Sequence, residues 1–401
     1  MATKAFSESR LARMHEILAS HIESGRMPGL VSLVSRGGEV HVDAIGKTTT
    51  NSNTPMQRDS IFRIASMTKP VAAAAAMILV EECVLRLDDP VDTWLPEFST
   101  RRVLNKLDGA LDDTVAAKRA ITMRDLLTMR MGLGYIMFED ASTYPIRKAL
   151  DEINLLVGPP SPSAMPTPDA WMKQVGALPL MYQPGEQWMY DISLDVLGVL
   201  IARASGKPLD VFLRERLFEP LGMKDTGFYV PAEKLARFTG CYVGNASGGL
   251  DEYDGVDHSQ WGAPPPFPSA AGGLVSTVDD YHAFCRMLLN KGMHRSEQIL
   301  SRASVDMMTS NQVGAEHRTN PGAFLEPHSG WGFGMGVDVR RDQLWTNPGR
   351  FGWDGGLGTS GYSDPNEDLV GILLTTRMMD SPEPPRAFVD FWTSAYSAIG
   401  E

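Results

Sequence analysis

Residues 62–82 have the sequence FRIASMTKPVAAAAAMILVEE, which contains the first candidate catalytic residues, Ser66 and Lys69. Phe62 to Ala65 favours a short strand, and the apolar residues after it predict a buried helix that continues through Val71 to Glu82. Ser66 and Lys69 lie three residues apart at the start of that helix. Their side chains therefore share one helix face and can touch.

A serine hydroxyl becomes a strong nucleophile only when a neighbouring group takes its proton. Lys69 can take it only if burial lowers the lysine pKa, and the alanine-rich helix supplies a buried environment. The amino-terminal end of a helix also brings backbone N–H groups and a positive dipole to Ser66, which favours the oxyanion of acyl transfer. Alone, Ser-x-x-Lys is a weak signal, because about one occurrence is expected by chance. A serine cap followed by a surface lysine is the alternative.

Two further segments carry candidate site residues. In the stretch 184–192, PGEQWMYDI, a Pro-Gly turn precedes Tyr190 and a predicted helix. A phenol beside an ammonium has a depressed pKa and can shuttle a proton between serine and leaving group. The stretch 353–356, WDGG, lies on a predicted strand, and the backbone N–H of Gly356 is a candidate oxyanion donor. The structural alternatives are a half-buried aromatic residue at Tyr190 and a bulge or turn at the glycines.

The composition is that of a folded globular protein. Of the 401 residues 43% are hydrophobic and 21% are charged, which allows a large core and argues against extended disorder. The net charge of -12 argues against nucleic acid as a partner, because phosphate binding requires a basic face. The longest apolar run, Val71 to Val80, has about half the residues needed to cross a bilayer. The polar amino terminus lacks signal-peptide order, so no membrane association and a cytoplasmic location are predicted.

No metal and no cofactor are expected. Cys83, Cys241 and Cys285 are odd in number and widely spaced, which disfavours a disulfide framework and a cysteine-based zinc site. The eight histidines form no His-Glu-x-x-His motif and no close pair. No serine has the Gly-x-Ser-x-Gly setting of α/β-hydrolases, so a Ser-His-Asp enzyme of that type is disfavoured.

Periodicity predicts an antiparallel sheet assembled from both ends of the chain, with a helical middle and an irregular proline-rich loop. The predicted elements are helices at Phe6–Ser24, Met123–Met129, Ile192–Ala204 and Arg386–Ile399, strands at Leu30–Ser35, Glu39–Ala44, Trp331–Val339, Arg350–Trp353 and Leu369–Thr376, and the loop Gly158–Pro168. The predicted fold class is α+β. We expect one domain over 1–401, with a sheet-containing part at about 1–65 and 270–401 and a mainly helical part at about 66–269.

Together, the three motifs resemble the serine β-lactamase and penicillin-binding protein superfamily. The resemblance is closest to the family VIII carboxylesterases, which are relatives of the class C β-lactamases. It rests on Ser-x-x-Lys at Ser66, Pro-Gly-(x)4-Tyr ending at Tyr190, and Trp-x-Gly-Gly at 353–356. The supporting segments are Phe62-Arg63-Ile64-Ala65, Leu126-Leu127-Thr128, Gly132-Leu133-Gly134-Tyr135 and Ala271-Gly272-Gly273-Leu274-Val275-Ser276-Thr277.

The resemblance implies a β-lactamase/transpeptidase-like fold, in which an antiparallel sheet flanked by helices meets a mainly helical region at the site. It implies that Ser66 is the nucleophile and that Lys69 and Tyr190 form the proton-transfer pair. The backbone N–H groups of Ser66 and Gly356 would make the oxyanion hole. Tyr135 matches a tyrosine that lines the site in the esterase branch.

Two departures from the class C pattern bear on the substrate. Tyr190-Asp191-Ile192 stands where those enzymes have Tyr-x-Asn, and Trp353-Asp354-Gly355 stands where they have Lys-Thr-Gly. An amide and a cation that would hold a β-lactam are therefore missing. An indole favours an uncharged apolar group, so Trp353 is a candidate substrate-binding residue and small carboxylic esters are the expected substrates.

The alternatives are a β-lactamase or a D-Ala-D-Ala peptidase-like penicillin-recognising protein, and an acyltransferase that uses an alcohol acceptor. The motifs do not decide whether Lys69 or Tyr190 is the immediate base, since two coupled groups titrate as a unit. They also leave the oligomeric state open.

Overall fold

The computed structural model describes residues 5–136, 142–153, 160–319 and 325–400. The strands within these ranges are β1 (Gly29–Arg36), β2 (Glu39–Gly46), β3 (Phe62–Arg63), β4 (Arg102–Leu104), β5 (Thr114–Ala116), β6 (Cys241–Gly244), β7 (Leu250–Asp254), β8 (Val275–Ser276), β9 (Met293–His294), β10 (Glu297–Gln298), β11 (Ser329–Trp331), β12 (Gly336–Asp338), β13 (Phe351–Gly355), β14 (Thr359–Asp364) and β15 (Leu369–Thr375).

The α-helices in the same ranges are α1 (Glu8–Glu23), α2 (Thr68–Glu81), α3 (Met123–Leu127), α4 (Pro145–Glu152), α5 (Pro168–Ala177), α6 (Ile192–Ser205), α7 (Leu209–Leu213), α8 (Glu219–Leu221), α9 (Val278–Leu289), α10 (Arg302–Met308) and α11 (Arg386–Ser397). Among the described residues, no helix combines the length and the apolar character needed to span a bilayer.

A seven-stranded antiparallel sheet forms the centre of the fold. Its strand order is β11-β12-β13-β14-β15-β1-β2, so β1 and β15, from opposite ends of the chain, are neighbours in the sheet. The smaller two-stranded sheets are β3-β8, β4-β5, β6-β7 and β9-β10. With helices against the sheet, this architecture confirms the α+β class predicted from the sequence.

Strands β1 and β15 are buried on both faces, and their residues alternate between two apolar clusters. Leu30 of β1 and Leu373 of β15 pack with helices α1 and α11 on one face. Val31 and Ile372 point the other way, into the large cluster that contains α2 and α6. The period of two along each strand thus assigns one face to the terminal helices and the other to the helices that carry the site.

Helix α2 lies inside this large cluster. Every residue from Thr68 to Leu79 is buried, because small alanine side chains let neighbouring elements approach from all sides. The predicted buried helix is therefore confirmed. Helix α6 is likewise buried, and it ends at Gly206, whose φ of 68° provides the left-handed cap that the sequence predicted.

The sequence predicted most strands of the sheet, but the prediction of one strand was wrong. The stretch Trp331–Val339 is not continuous: it forms β11 and β12, which pair as a hairpin. Between them Gly334 has a φ of 71°, and the N–H of Gly332 bonds the carbonyl of Met335. This turn is favoured by glycine and breaks the strand.

Strand β14 and the two hairpins of the middle region, β4-β5 and β6-β7, were not predicted. The proline-rich loop was predicted correctly where it is described, since residues 160–167 are irregular apart from a 3-10 turn at Pro162–Ala164. Residues 158 and 159 of that loop lie outside the described residues.

Candidate active site

Ser66 lies in a one-turn 3-10 helix, Ala65–Met67, between β3 and α2. The α-helix begins at Thr68, two residues later than the motif suggested. Ala65 has a φ of 43°, a left-handed conformation that costs energy for a residue with a Cβ atom. The turn is held by a hydrogen bond from the Tyr281 hydroxyl to the Met67 carbonyl at 3.1 Å.

The Lys69 side chain is fully buried and reaches Ser66. Its Nζ atom donates to Ser66 Oγ at 2.8 Å and to the carbonyl of Ala271 at 2.7 Å. It also forms an ion pair with Asp191. Burial lowers the pKa of Lys69, as the sequence argument required, but Asp191 and Tyr190 more than offset it, so the pKa is raised. The expected neutral lysine is therefore corrected to a charged one.

Tyr190 is buried beside Lys69, whose Nζ lies 4.4 Å from the centre of the phenol ring. The indole N–H of Trp353 donates to the Tyr190 hydroxyl at 2.7 Å. Burial raises the pKa of Tyr190, and the opposing effects of Lys69, Ser66 and Trp353 do not reverse it. The prediction of a depressed pKa for this phenol is wrong, because burial penalises the phenolate more than the nearby ammonium favours it.

Asp191 was not predicted as a site residue. It immediately precedes α6 and has a φ of 117°, which is rare for any residue other than glycine. Its carboxylate pairs with Lys69 and accepts a hydrogen bond from the Tyr135 hydroxyl at 2.9 Å. The only signal in the sequence was a carboxyl group directly after the tyrosine of the motif.

The two candidate oxyanion donors, Ser66 and Gly356, line the same cavity. They are brought near each other because β13 packs against the chain that leads to Ser66. A Cβ atom on Gly355 would lie 2.4 Å from the carbonyl oxygen of Ile64, so only glycine permits this approach. A Cβ atom on Gly356 would meet nothing within 4 Å, which leaves its backbone accessible from the cavity.

The cavity has a volume of about 1020 Å³. It begins at Ser66 and Tyr190 and extends past β13 to Tyr362 and Trp392, which pack against the terminal helices. Its apolar wall includes Tyr135, Pro160, Met165, Leu325, Trp345 and Trp353. Trp188 and Trp331 are fully buried and pack against Tyr190, so they belong to the core, which was the favoured interpretation of the sequence.

Acidic groups outnumber unpaired cations along this cavity. Burial raises the pKa of Asp195 to about 7 and the pKa of Asp354 to about 6. Arg350 also lines the cavity, but it pairs with Asp338 at 3.0 Å and its guanidinium lies against two aromatic rings, Tyr362 at 3.8 Å and Trp392 at 4.2 Å. The charge of Arg350 is therefore already compensated within the protein.

Comparison with known proteins gives consistent matches over nearly the whole chain. The Beta-lactamase family matches residues 14–390. Protein Rv1367c of Mycobacterium tuberculosis is 38% identical over 370 residues, which cover 89% of this chain and 88% of that protein. Esterase EstB of Burkholderia gladioli is 30% identical over 398 residues, which cover 94% of this chain and 93% of the esterase.

A solved structure agrees with these matches. EstCE1, described as a hydrolase with promiscuous acyltransferase activity, is 25% identical and superposes with a TM-score of 0.79, covering 97% of this chain and 99% of EstCE1. The predicted β-lactamase/transpeptidase-like fold is confirmed, and the relatives support a hydrolase or an acyl-transfer enzyme. With a family match that runs from residue 14 to residue 390, this chain belongs to the β-lactamase family.

Proposed function

We propose that this protein is a serine hydrolase that cleaves carboxylic esters through an acyl-enzyme on Ser66. The observation that carries the proposal is the 2.8 Å hydrogen bond between Lys69 Nζ and Ser66 Oγ, with the Tyr190 phenol beside both in one cavity. A nucleophile in contact with an ionisable partner is the arrangement that acyl transfer requires.

In the first step Lys69 and Tyr190 together take the proton of Ser66 Oγ as this oxygen attacks the ester carbonyl. The backbone N–H groups of Ser66 and Gly356 stabilise the negative oxygen that forms. Tyr190 then gives its proton to the leaving alcohol as the carbon–oxygen bond breaks, and Lys69 returns a proton to the phenol. Water attacks the acyl-enzyme by the same proton transfers in reverse and releases the acid.

The walls of the cavity favour uncharged ester substrates. Trp353 and Tyr135 present aromatic surface in the same cavity as Ser66. An anionic ligand such as a β-lactam carboxylate would have to compete with Asp338 for the guanidinium of Arg350. We therefore infer a small, neutral, largely apolar ester as the substrate class.

Acyl transfer to an alcohol is the second candidate. EstCE1 is described as having promiscuous acyltransferase activity, and that description motivates the comparison. A cavity of about 1020 Å³ is at the upper end of ordinary ligand pockets and has room for an acyl group together with an acceptor alcohol.

Turnover of p-nitrophenyl butyrate tests the proposal, measured with and without an added alcohol such as 1-butanol. Steady release of nitrophenol and butyric acid in water supports hydrolysis, whereas formation of butyl butyrate at the expense of acid supports transfer. A single burst without turnover would indicate a penicillin-recognising protein and would overturn the proposal.

Ser66→Ala is expected to abolish turnover and acylation. Ser20→Ala is the matched control, because Ser20 is an exposed serine on α1, away from the cavity. Mass spectrometry after treatment with a p-nitrophenyl phosphonate should find the adduct on the peptide containing Ser66. An adduct on another residue, or normal turnover by Ser66→Ala, would contradict the assignment.

A further inference from the structure

Lys69 has more acceptors around it than a simple base would need. Its Nζ atom faces three oxygens: Ser66 Oγ at 2.8 Å, the Ala271 carbonyl at 2.7 Å and Asp191 Oδ1 in an ion pair. An ammonium has three donors and no acceptor, so this surrounding matches the protonated form. The carboxylate of Asp191, whose side chain is 17% exposed, would also be left without its charged partner if Lys69 simply lost its proton to solvent.

The resting site therefore lacks an obvious base among the residues of the motif. Lys69 is held as an ammonium, which has no free electron pair. Tyr190 is held as a neutral phenol, since burial raises its pKa. The carboxylate of Asp191 is the group in contact with this pair that carries electron pairs able to accept a proton.

We propose that Asp191 acts through Lys69 as the acceptor of the Ser66 proton. The inference rests on the proposed function and deepens it by assigning a positioning residue that lies outside the serine, lysine and tyrosine of the motif. Tyr135 orients the carboxylate, because its hydroxyl donates to Asp191 Oδ2 at 2.9 Å and leaves Oδ1 directed at Lys69.

The proton transfers balance within the site. One N–H proton of Lys69 moves to Asp191 Oδ1, and the electron pair left on Nζ takes the proton of Ser66 Oγ as the new oxygen–carbon bond forms. Lys69 is then an ammonium again, and Asp191 is a neutral acid. When the alcohol leaves, Tyr190 protonates it, Lys69 reprotonates Tyr190, and Asp191 returns its proton to Lys69.

The charged and titratable groups around Lys69 lie at the start of α6, in the residues just before it, and at Tyr135. Asp191 and Asp195 come from the start of α6, Tyr190 directly precedes them, and Tyr135 faces the same carboxylate. Asp195 differs from Asp191, because its Oδ1 accepts from Ser269 Oγ at 2.8 Å and from the Ala271 N–H at 3.0 Å. Asp195→Asn is therefore the comparison variant for the loss of a neighbouring carboxyl group that Ser269 and Ala271 hold in place of Lys69.

The test is the pH dependence of Ser66 phosphonylation by a p-nitrophenyl phosphonate, in the wild type, Asp191→Asn and Asp195→Asn. We expect the rate of Asp191→Asn to fall by about 100-fold at neutral pH, the scale of a lost acid–base group. The acidic limb of the profile is the pH range in which the rate falls as the solution becomes more acidic. We expect this limb to move to higher pH in Asp191→Asn, because Lys69 must then lose a proton to solvent before it can take the proton of Ser66. Asp195→Asn should keep its acidic limb close to that of the wild type.

The opposite shift would overturn the inference. If Lys69 in the wild type acts after losing its proton to solvent, removing the Asp191 charge makes that loss easier, and the acidic limb moves to lower pH with equal or higher activity. Tyr135→Phe provides a second variant that keeps the carboxylate. It removes a donor that favours the charged carboxylate, so its acidic limb should move upward by less than that of Asp191→Asn.

Two measurements separate this inference from the proposed function. If wild-type Ser66 is labelled but Asp191→Asn reacts at the wild-type rate with an unmoved limb, the role of Asp191 is wrong and the nucleophile assignment stands. If wild-type Ser66 is not labelled, the proposed function itself fails. Lysine labelled with ¹³C at Cε, with Lys69→Arg to assign the signal, should show Lys69 charged at neutral pH in the wild type and titrating at lower pH in Asp191→Asn.

Discussion

The indole of Trp353 donates its N–H to the phenolic oxygen of Tyr190 across 2.7 Å. Tryptophan is a donor only, so the phenolic oxygen must accept this bond and its own proton is directed elsewhere. Tyr190 also forms a hydrogen bond with the side chain of Ser66. Trp353 thus has two roles: its ring forms part of the cavity wall, and its N–H bonds the proton-transfer group. The two roles can be tested separately.

Trp353→Phe separates these effects, since phenylalanine keeps an aromatic wall but has no N–H. Losing one hydrogen bond of about 1 kcal/mol should lower kcat about fivefold to tenfold and change KM for apolar esters much less. Steady-state kinetics with p-nitrophenyl esters measures both constants. Trp94→Phe is the control, because Trp94 does not line the cavity. An unchanged kcat with a raised KM in Trp353→Phe would contradict the role of the indole N–H in proton transfer.

Tyr190→Phe removes the proton donor and keeps the ring contacts with Trp188 and Trp331. We expect kcat to fall by about 10² to 10⁴, the usual contribution of a general acid–base group, with a nearly unchanged melting temperature. Single-turnover kinetics and thermal unfolding check the two parts. Tyr396→Phe loses a hydroxyl that donates to Asp364 at 2.7 Å and does not line the cavity, so it should retain normal kcat.

Gly355→Ala tests how β13 is positioned. The added Cβ would lie 2.2 Å from Thr359 Oγ1 and 2.4 Å from the Ile64 carbonyl, so the strand must move away from the turn that carries Ser66. A displacement of this size is expected to cost about 100-fold in kcat/KM. The control is Gly227→Ala, where the nearest atom would be 3.7 Å from the new Cβ. Equal activities of the two variants would show that β13 can shift without consequence.

Asp195 makes the stability of the protein depend on pH. Its carboxyl has a pKa of about 7 in the folded protein against 3.8 for the free side chain. Between these values the folded state holds a proton that the unfolded state has released, so the free energy of unfolding falls as pH rises, by at most about 1.4 kcal/mol per unit. The loss is complete above pH 7.

Asp195→Asn should flatten this dependence, because an amide does not titrate while its oxygen can still accept the Ser269 and Ala271 hydrogen bonds. Urea unfolding at pH 5 and at pH 8 measures it. The wild type is expected to lose more stability than the variant between the two pH values. The comparison with the variant is required because Asp280 and Asp354, whose pKa values burial raises to about 6, contribute in the same direction.

Local rules predicted the elements of the fold where the pattern was periodic. Helix spacing alone predicted that Ser66 and Lys69 can touch, since residues three apart share a face. Strand β14 was missed because its sequence, TSGYSD, lacks apolar alternation, although it is mostly buried between its two strand neighbours, β13 and β15. The hairpin β11-β12 was missed because the glycines of its turn were included in one continuous strand.

The site was predicted less completely than the fold. The proximity of Tyr190 to Ser66 depends on tertiary packing, and only the resemblance to a family indicated it. The predicted directions of two pKa shifts were wrong. Burial raises the pKa of Tyr190 despite the nearby ammonium, and Tyr190 and the carboxylate of Asp191 raise the pKa of Lys69 despite its burial. That carboxylate reaches Lys69 through a backbone φ of 117°, a conformation that no local rule predicts for a residue with a side chain.

The pairing of β1 with β15 has a consequence for how the chain folds. Leu30 lies opposite Thr375, so this pair of strands joins residues made at very different times during synthesis. At about 5 to 20 residues per second, β1 emerges from the ribosome on the order of tens of seconds before its partner. During this interval the apolar residues of β1 have no strand β15 to cover them, and chaperone binding to the amino-terminal segment of the nascent chain is the expected result.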